Sequence, residues 1–199
     1  MSVYKNWDNE SVFKDQLALN IRQLSSESEY PAHWWHFLTI IDRLNPSSIF
    51  DLGCGCGAFY ALCKKHFPRV KYTGADFSEN AIKIAKNTWN YERFLVKDLF
   101  NLSEVDISNY DVLHLGALLD VLDDGDAGLK HALSLECKNV IVGRVHLTEK
   151  ESFTQAYKAY NKIDAIQFNH NTKNLLSVAA EYNYNVTSIE NTILFQKNV

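Results

Sequence analysis

Ile49-Phe50-Asp51-Leu52-Gly53-Cys54-Gly55-Cys56-Gly57-Ala58 is an apolar run that ends in an acid and is followed by three glycines at alternate positions. Glycines so spaced let a backbone turn sharply out of a strand, adopt positive φ and approach a ligand with no Cβ in the way. Ala58, Phe59, Ala61 and Leu62 follow, with Tyr60 among them, so the loop is expected to feed into a helix whose first N–H groups face the same ligand. A strand, a nucleoside-binding turn and a helix are predicted in succession.

Strand-like and helix-like segments alternate outward from this loop for about a hundred residues, the signature of a parallel sheet with crossover helices. Residues 48–52 form the first predicted strand, and the helix over 58–66 is stopped by Pro68, which pushes its predecessor out of the α region. A second strand over 70–75 ends at Asp76. Ser78 then caps a helix over 79–89 in which Ala81, Ile82, Ala85 and Trp89 share one face. A third strand over 93–96 ends at Lys97-Asp98, and a polar loop over 101–109 leads to a fourth strand over 110–115. A helix over 127–135 and a fifth strand over 139–145 follow. Near the end, 171–182 reads as helix, and 185–189 and 192–196 as strands joined by Glu190-Asn191, a turn short enough to make them antiparallel neighbours.

Two regions stand outside the alternation. Residues 1–47 read as a helical extension, with Val12, Phe13, Leu17, Ile21 and Leu24 at helical spacing and a second helix over 32–44. Residues 149–170, rich in Lys, Tyr and Gln, read as an irregular insert. Either is placed to cover the carboxyl ends of the strands, where open α/β sheets bind ligands. One domain over 1–199 is expected, with 48–199 as its core, since 199 residues are few for two.

Composition narrows the class. The formal net charge is −4 and the basic residues are scattered, which counts against nucleic acid, whose binding rests on many phosphate neutralisations. The first eight residues contain no apolar h-region, and no apolar run approaches the roughly 18 residues of a membrane span. A cytoplasmic protein, monomeric or homodimeric, is expected. Cys54, Cys56, Cys63 and Cys137 lack the paired spacing of a zinc site and are read as small reduced residues, so no metal is expected.

Gly53-x-Gly55-x-x-Ala58 also fits the loose dinucleotide fingerprint, and Asp76, 23 residues after Gly53, suits a ribose hydroxyl in either reading. Asp51 discriminates. A carboxylate beside a pyrophosphate costs on the order of several kcal/mol at a partly buried site, whereas a cofactor with an amino group and a sulfonium is attracted. Charge thus favours S-adenosylmethionine over a nicotinamide dinucleotide.

Four separated motifs then carry a specific resemblance over roughly residues 45–145. The sequence resembles the class I S-adenosylmethionine-dependent methyltransferases in its glycine loop, in Tyr72-Thr73-Gly74-Ala75-Asp76-Phe77-Ser78, in Val96-Lys97-Asp98-Leu99-Phe100 and in the run Tyr110 to Leu119. The resemblance implies an α/β, doubly wound, Rossmann-like seven-stranded sheet with an antiparallel last strand. It implies that Asp51, Gly53, Gly55 and Gly57 lie against the methionine part of the cofactor, with Asp76 on the ribose and Phe77 beside the adenine. Asp98 would accept from the adenine amino group while Leu99 donates a backbone N–H, and the backbone around Leu115 would border the methyl-transfer site.

Methyl transfer from a sulfonium is an in-line displacement with an excellent leaving group, so holding the acceptor in line supplies much of the catalysis. Where the acceptor is a hydroxyl, a base within reach helps. His114, Asp120 and His146 are the catalytic candidates, with His170 from the insert. Gly116-Ala117-Leu118 stands where enzymes acting on base amines or protein amides carry Asn or Asp followed by Pro-Pro, which favours a small polar acceptor, a metabolite or sugar methylated on oxygen or nitrogen. In the extension, Tyr30, His33 and Trp34 are candidate acceptor or lid residues, an aromatic face against the sulfonium being worth roughly 0.5–2 kcal/mol. A catalytically silent cofactor-binding partner subunit, or another group transfer using S-adenosylmethionine or a derivative, is the alternative reading.

Overall fold

The computed structural model describes residues 2–198; Met1 and Val199, included in the expected domain bounds, lie outside the described residues. A central sheet of seven strands runs β3-β2-β1-β4-β5-β10-β9. Its strands are β1 (Ser48–Leu52), β2 (Lys71–Asp76), β3 (Phe94–Val96), β4 (Val112–Leu115), β5 (Asn139–Val142), β9 (Tyr184–Ile189) and β10 (Thr192–Lys197). The five from β1 to β5 are parallel, and β10 pairs antiparallel with both β5 and β9, as expected of the finish of this sheet.

Strand alternation divides the core in two. Phe50, Leu52, Leu113, Leu115, Val140 and Val142 point to the side covered by α6 (Gly125–Ser134) and α7 (Thr172–Glu181). Ile49, Tyr72, Val112 and Ile141 point to the side covered by α2 (Ala32–Leu44), α3 (Ala58–His66) and α4 (Glu79–Trp89). Period-two alternation puts Asp51 on the second side with Ile49, not on the side of Leu52. Helix α1 (Glu10–Leu24) begins at Asn9, whose side chain accepts from the N–H groups of Ser11 and Val12 at 3.0 and 3.2 Å.

The sequence expectation fails at the insert. Residues 149–170 are largely ordered strand: β7 (Phe153–Ala159) and β8 (Ile163–Asn171) form an antiparallel hairpin, and β8 pairs in parallel with β6 (His146–Thr148) to make a second, three-stranded sheet. The hairpin turns through Tyr160 and Asn161 at φ 52° and 55°, closed by Lys162 N–H donating to the Ala159 carbonyl at 2.9 Å. The three-residue connection 160–162 thus holds a β-turn of the hairpin-favoured hand, with Tyr-Asn at its centre instead of the Asn-Gly or Asp-Gly pair that announces it. The fifth strand also stops early, at Val142, because Arg144 takes φ 59° and redirects the chain. The polar loop over 101–109 contains the short helix α5 (Glu104–Ile107), opened by reciprocal capping between Ser103 and Asp106.

Candidate active site

The carboxyl ends of β1, β2 and β3 open on one cavity of about 370 Å³, within the size range of small-ligand sites. Leu52, Gly53 and Gly55 form its floor; Asp76 ends β2 with Phe77 just after it, and Lys97, Asp98 and Leu99 follow β3. The glycine loop takes φ 76°, 52° and 84° at Gly53, Gly55 and Gly57. At Gly55 a Cβ would lie 2.8 Å from Gln16 Oε1, so a side chain there would strain the backbone and push the Gln16 amide aside.

Asp76 is 7% exposed and accepts from Gly55 N–H at 2.9 Å and Ser78 N–H at 3.0 Å, so one carboxylate ties the loop to the start of α4. Burial pushes its carboxyl up to about 6, against the pull of those two N–H groups. Asp98 is held by residues of the first helical turn, Val3–Trp7: Tyr4 OH donates at 2.7 Å and Lys5 Nζ at 2.6 Å, with Phe100 N–H at 3.2 Å. Burial works the other way, but these donors leave Asp98 below the usual carboxylate range. Tyr4 also meets Phe77 edge-on at 5.4 Å, and Lys5 Nζ lies 4.3 Å from the Phe77 ring centre. The segment is fastened at three further points: Val3 N–H donates to Asp123, Asn6 to the Asp164 carbonyl, and Asp8 accepts from Ser78 Oγ at 2.6 Å. The roof is completed by Trp7, Phe13, Gln16 and Leu19 on one side and by Tyr157, Lys158, Ala159 and Tyr160 of the hairpin on the other.

The remaining candidates from the sequence sit elsewhere. Asp51, 1% exposed, does not line the cavity; it accepts from Tyr72 OH, and its Oδ1 lies 2.7 Å from His114 Nδ1. His114 is wedged between Phe37 and Phe59, ring centres 4.6 and 4.4 Å away, and does not line the cavity either. The carboxylate that argued for a cationic cofactor is therefore engaged by the protein itself. Leu115 is buried in the core and does not line the cavity, and Gly57 caps α3. Asp120, 3% exposed, sits behind Arg144, its Oδ2 3.6 Å from the guanidinium; burial, opposed by Arg144, pushes its carboxyl up to about 6. His146 is half-buried on β6, lowered first by burial and then by Arg144 and His170, and does not line the cavity. His170 is locked to Asp126 at 2.7 Å.

Tyr30 and Trp34 are buried in an aromatic cluster with His66 and Trp35 on the α2–α3 side, where Lys65 Nζ donates to Tyr30 OH at 3.0 Å. His33 packs against Trp34 and Phe59, and burial, then the Arg144 charge, brings it down to about 4. None of the three lines the cavity. Sequence reasoning missed the residues that do: Tyr4 and Trp7, Gln16, Arg144, and Tyr157 with Tyr160. The helical spacing of Phe13 and Leu17 pointed to α1, but nothing in the sequence places its Gln16 over the loop. Among the described residues no cluster of His, Cys, Asp or Glu suits a metal ion, and no helix is long and apolar enough to cross a membrane.

Residues 50–141 match the family model described as a methyltransferase domain. The fold matches many solved structures. Among them are DesVI from Streptomyces venezuelae (11% identity, TM-score 0.62, covering 96% of this chain and 99% of that one) and the sugar N-methyltransferase KedS8 from Streptoalloteichus (11%, 0.58, 81% and 85%). A third is the N-terminal domain of EvdMO1, crystallised with SAH bound (12%, 0.60, 80% and 79%). Identities this low speak for the fold. No curated protein matches the chain. The resemblance to class I methyltransferases drawn from the four motifs is met by the family model and by the sheet order alike.

Proposed function

We propose, from the match of residues 50–141 to a methyltransferase domain, that the chain transfers a methyl group from S-adenosylmethionine to a small polar acceptor, on oxygen or nitrogen. One observation carries the reading: the acids that end β2 and β3, with Phe77 between them, face one cavity beside a left-handed glycine loop. That donor set fits the cofactor. Asp76 suits two ribose hydroxyls, Phe77 and Leu99 an adenine, Asp98 its amino group, and the Gly53–Gly55 backbone the methionine end. Gln16 Oε1, buried over Gly55 with no hydrogen-bond partner, suits an ammonium N–H. The bound cofactor would supply an electrophilic methyl group on a sulfonium.

The chain's own part is to bind, to orient and to exclude water. No imidazole lines the cavity among the described residues, so the acceptor is held in line by its walls instead of being activated by histidine. Tyr4, Trp7 and the β7–β8 hairpin close the site over both ligands. The sugar chemistry of the structural neighbour KedS8 agrees with a compact acceptor. Calorimetric titration with S-adenosylhomocysteine, followed by label transfer from S-adenosylmethionine to a panel of amino sugars, phenols and small acids, tests the reading. Micromolar binding with turnover on at least one class is expected; absence of cofactor binding sinks it. Binding without turnover on any acceptor would point to the silent partner subunit.

A further inference from the structure

Beyond the glycine loop and the acids of β2 and β3, the cavity is walled by Arg144, Tyr157, Lys158 and Tyr160. The two cations there differ. Lys158 Nζ is compensated by Asp164 at 2.7 Å. The only carboxylate within ion-pair range of Arg144 among the described residues is Asp120, at 3.6 Å from one nitrogen, too long for a hydrogen bond. Asp120 itself is 3% exposed, and its Oδ1 has no hydrogen-bond partner. The Arg144 fork thus faces the cavity with its donors unspent.

Its backbone placement is unusual as well. A Cβ on Gly143 would lie 2.3 Å from the Gly116 carbonyl oxygen, so β4 and β5 end in direct backbone contact. The chain leaves that contact through Arg144 at φ 59°, a left-handed conformation that costs a non-glycine residue and tends to persist where function needs it. Val145 N–H then donates to the Asn191 carbonyl at 2.8 Å, fixing the turn from its far side. The result presents a guanidinium to the cavity from a rigid sheet end.

Resting on the reading of this cavity as a methyl-transfer site, we propose that Arg144 anchors the acceptor, and that the molecule methylated here bears an oxyanion group, a carboxylate or a phosphate ester. A planar fork of N–H donors matches paired anionic oxygens in a way no other side chain lining this cavity does. Asp120, close but not hydrogen-bonded, holds the guanidinium on the cavity side without saturating it. Tyr157 and Tyr160 supply flat walls for the body of the acceptor. The Arg144 charge also reaches His33, where it adds to the lowering by burial, and Tyr157 and Tyr160, where it opposes the larger rise that burial causes.

The test uses protein saturated with S-adenosylhomocysteine and titrated calorimetrically with benzoate, phenyl phosphate and the neutral benzamide. At least one anion is expected to bind ten-fold or more tightly than benzamide; preference for benzoate identifies a carboxylate acceptor and preference for phenyl phosphate a phosphate ester. Arg144→Gln should erase the preference and Arg144→Lys should keep part of it, while S-adenosylhomocysteine titration of each variant reports that it is folded. Equal binding of benzamide and both anions, no binding of either anion at 10 mM (on the order of a 3 kcal/mol interaction), or a preference that survives Arg144→Gln overturns the proposal. Failure of the wild-type protein to bind S-adenosylhomocysteine overturns instead the methyltransferase reading, and this proposal with it.

Discussion

Replacing His114 by Phe tests whether the buried histidine is structural or catalytic. The ring lies between Phe37 and Phe59 and its Nδ1 is 2.7 Å from Asp51 Oδ1, with both residues 1% exposed. A phenyl ring fills the same slot but leaves Asp51 with Tyr72 as its remaining side-chain partner. Removing one member of a buried pair costs about 3–5 kcal/mol, because the other is left uncompensated in a low-dielectric interior. At roughly 2–4 °C per kcal/mol for a chain of this size, the melting temperature should fall by about 6–20 °C. Because neither side chain lines the cavity, the affinity for S-adenosylhomocysteine measured well below the transition should change less than about two-fold. A double variant, Asp51→Asn with His114→Phe, removes the stranded charge and should recover on the order of 2 kcal/mol relative to His114→Phe. Calorimetric melting and urea titration of the four proteins complete the cycle. A His114→Phe protein that melts within 2 °C of wild type, or a double variant no more stable than the single one, would refute the argument that this pair braces β1 against β4 (the melting criterion corresponds to less than about 1 kcal/mol).

Three further outcomes are expected. Asp76→Ala strips the bridge between Gly55 and Ser78 along with the ribose partner, so S-adenosylhomocysteine affinity should fall about ten- to hundred-fold by calorimetry; unchanged affinity would remove Asp76 from the site. Asp120 has its folded carboxyl raised to about 6 from 3.8, so the folded state binds the proton more tightly than the unfolded chain. Its stabilising contribution is present below about pH 4 and lost as pH rises to about 6; Asp120→Asn should flatten that segment of the stability curve and be more stable than wild type at neutral pH, and an unchanged pH profile would contradict the burial argument. Lys5→Ala with Tyr4→Phe releases the first turn from Asp98, and stopped-flow dissociation of S-adenosylhomocysteine should accelerate several-fold, a modest effect because Lys5 is 43% exposed; a slower release would mean that the segment hinders the cofactor instead of retaining it.

The half of the cavity proposed to hold the cofactor was legible in the sequence because it is built from contiguous motifs at strand ends. Gly53 and Gly55, Asp76 with Phe77, and Asp98 with Leu99 each follow a strand whose apolar run is plain, and parallel pairing brings the ends of such strands to one edge. The same logic misplaced Asp51. Its sequence position beside the glycines suggested contact with the ligand, yet strand alternation turns it toward Tyr72 and His114. The aromatic run from Tyr30 to Phe37 reads in the sequence either as a lid or as a helix packed on the sheet, and its buried side chains take the packing role against α3 and the sheet.

What the sequence determined by itself was the α/β order of elements and the nucleoside-type turn, since hydrophobic period, glycine spacing and capping residues act over a few neighbours. What only the tertiary structure decided was the roof and the far wall of the cavity. Tyr4 and Lys5 reach Asp98 across more than ninety residues, and the Tyr160-Asn161 turn folds β7 over the site without the residues that usually mark such a turn. Arg144 enters the cavity because Gly116 and Gly143 let two strand ends meet and force the chain aside. Those placements depend on packing between distant segments, which no local pattern encodes.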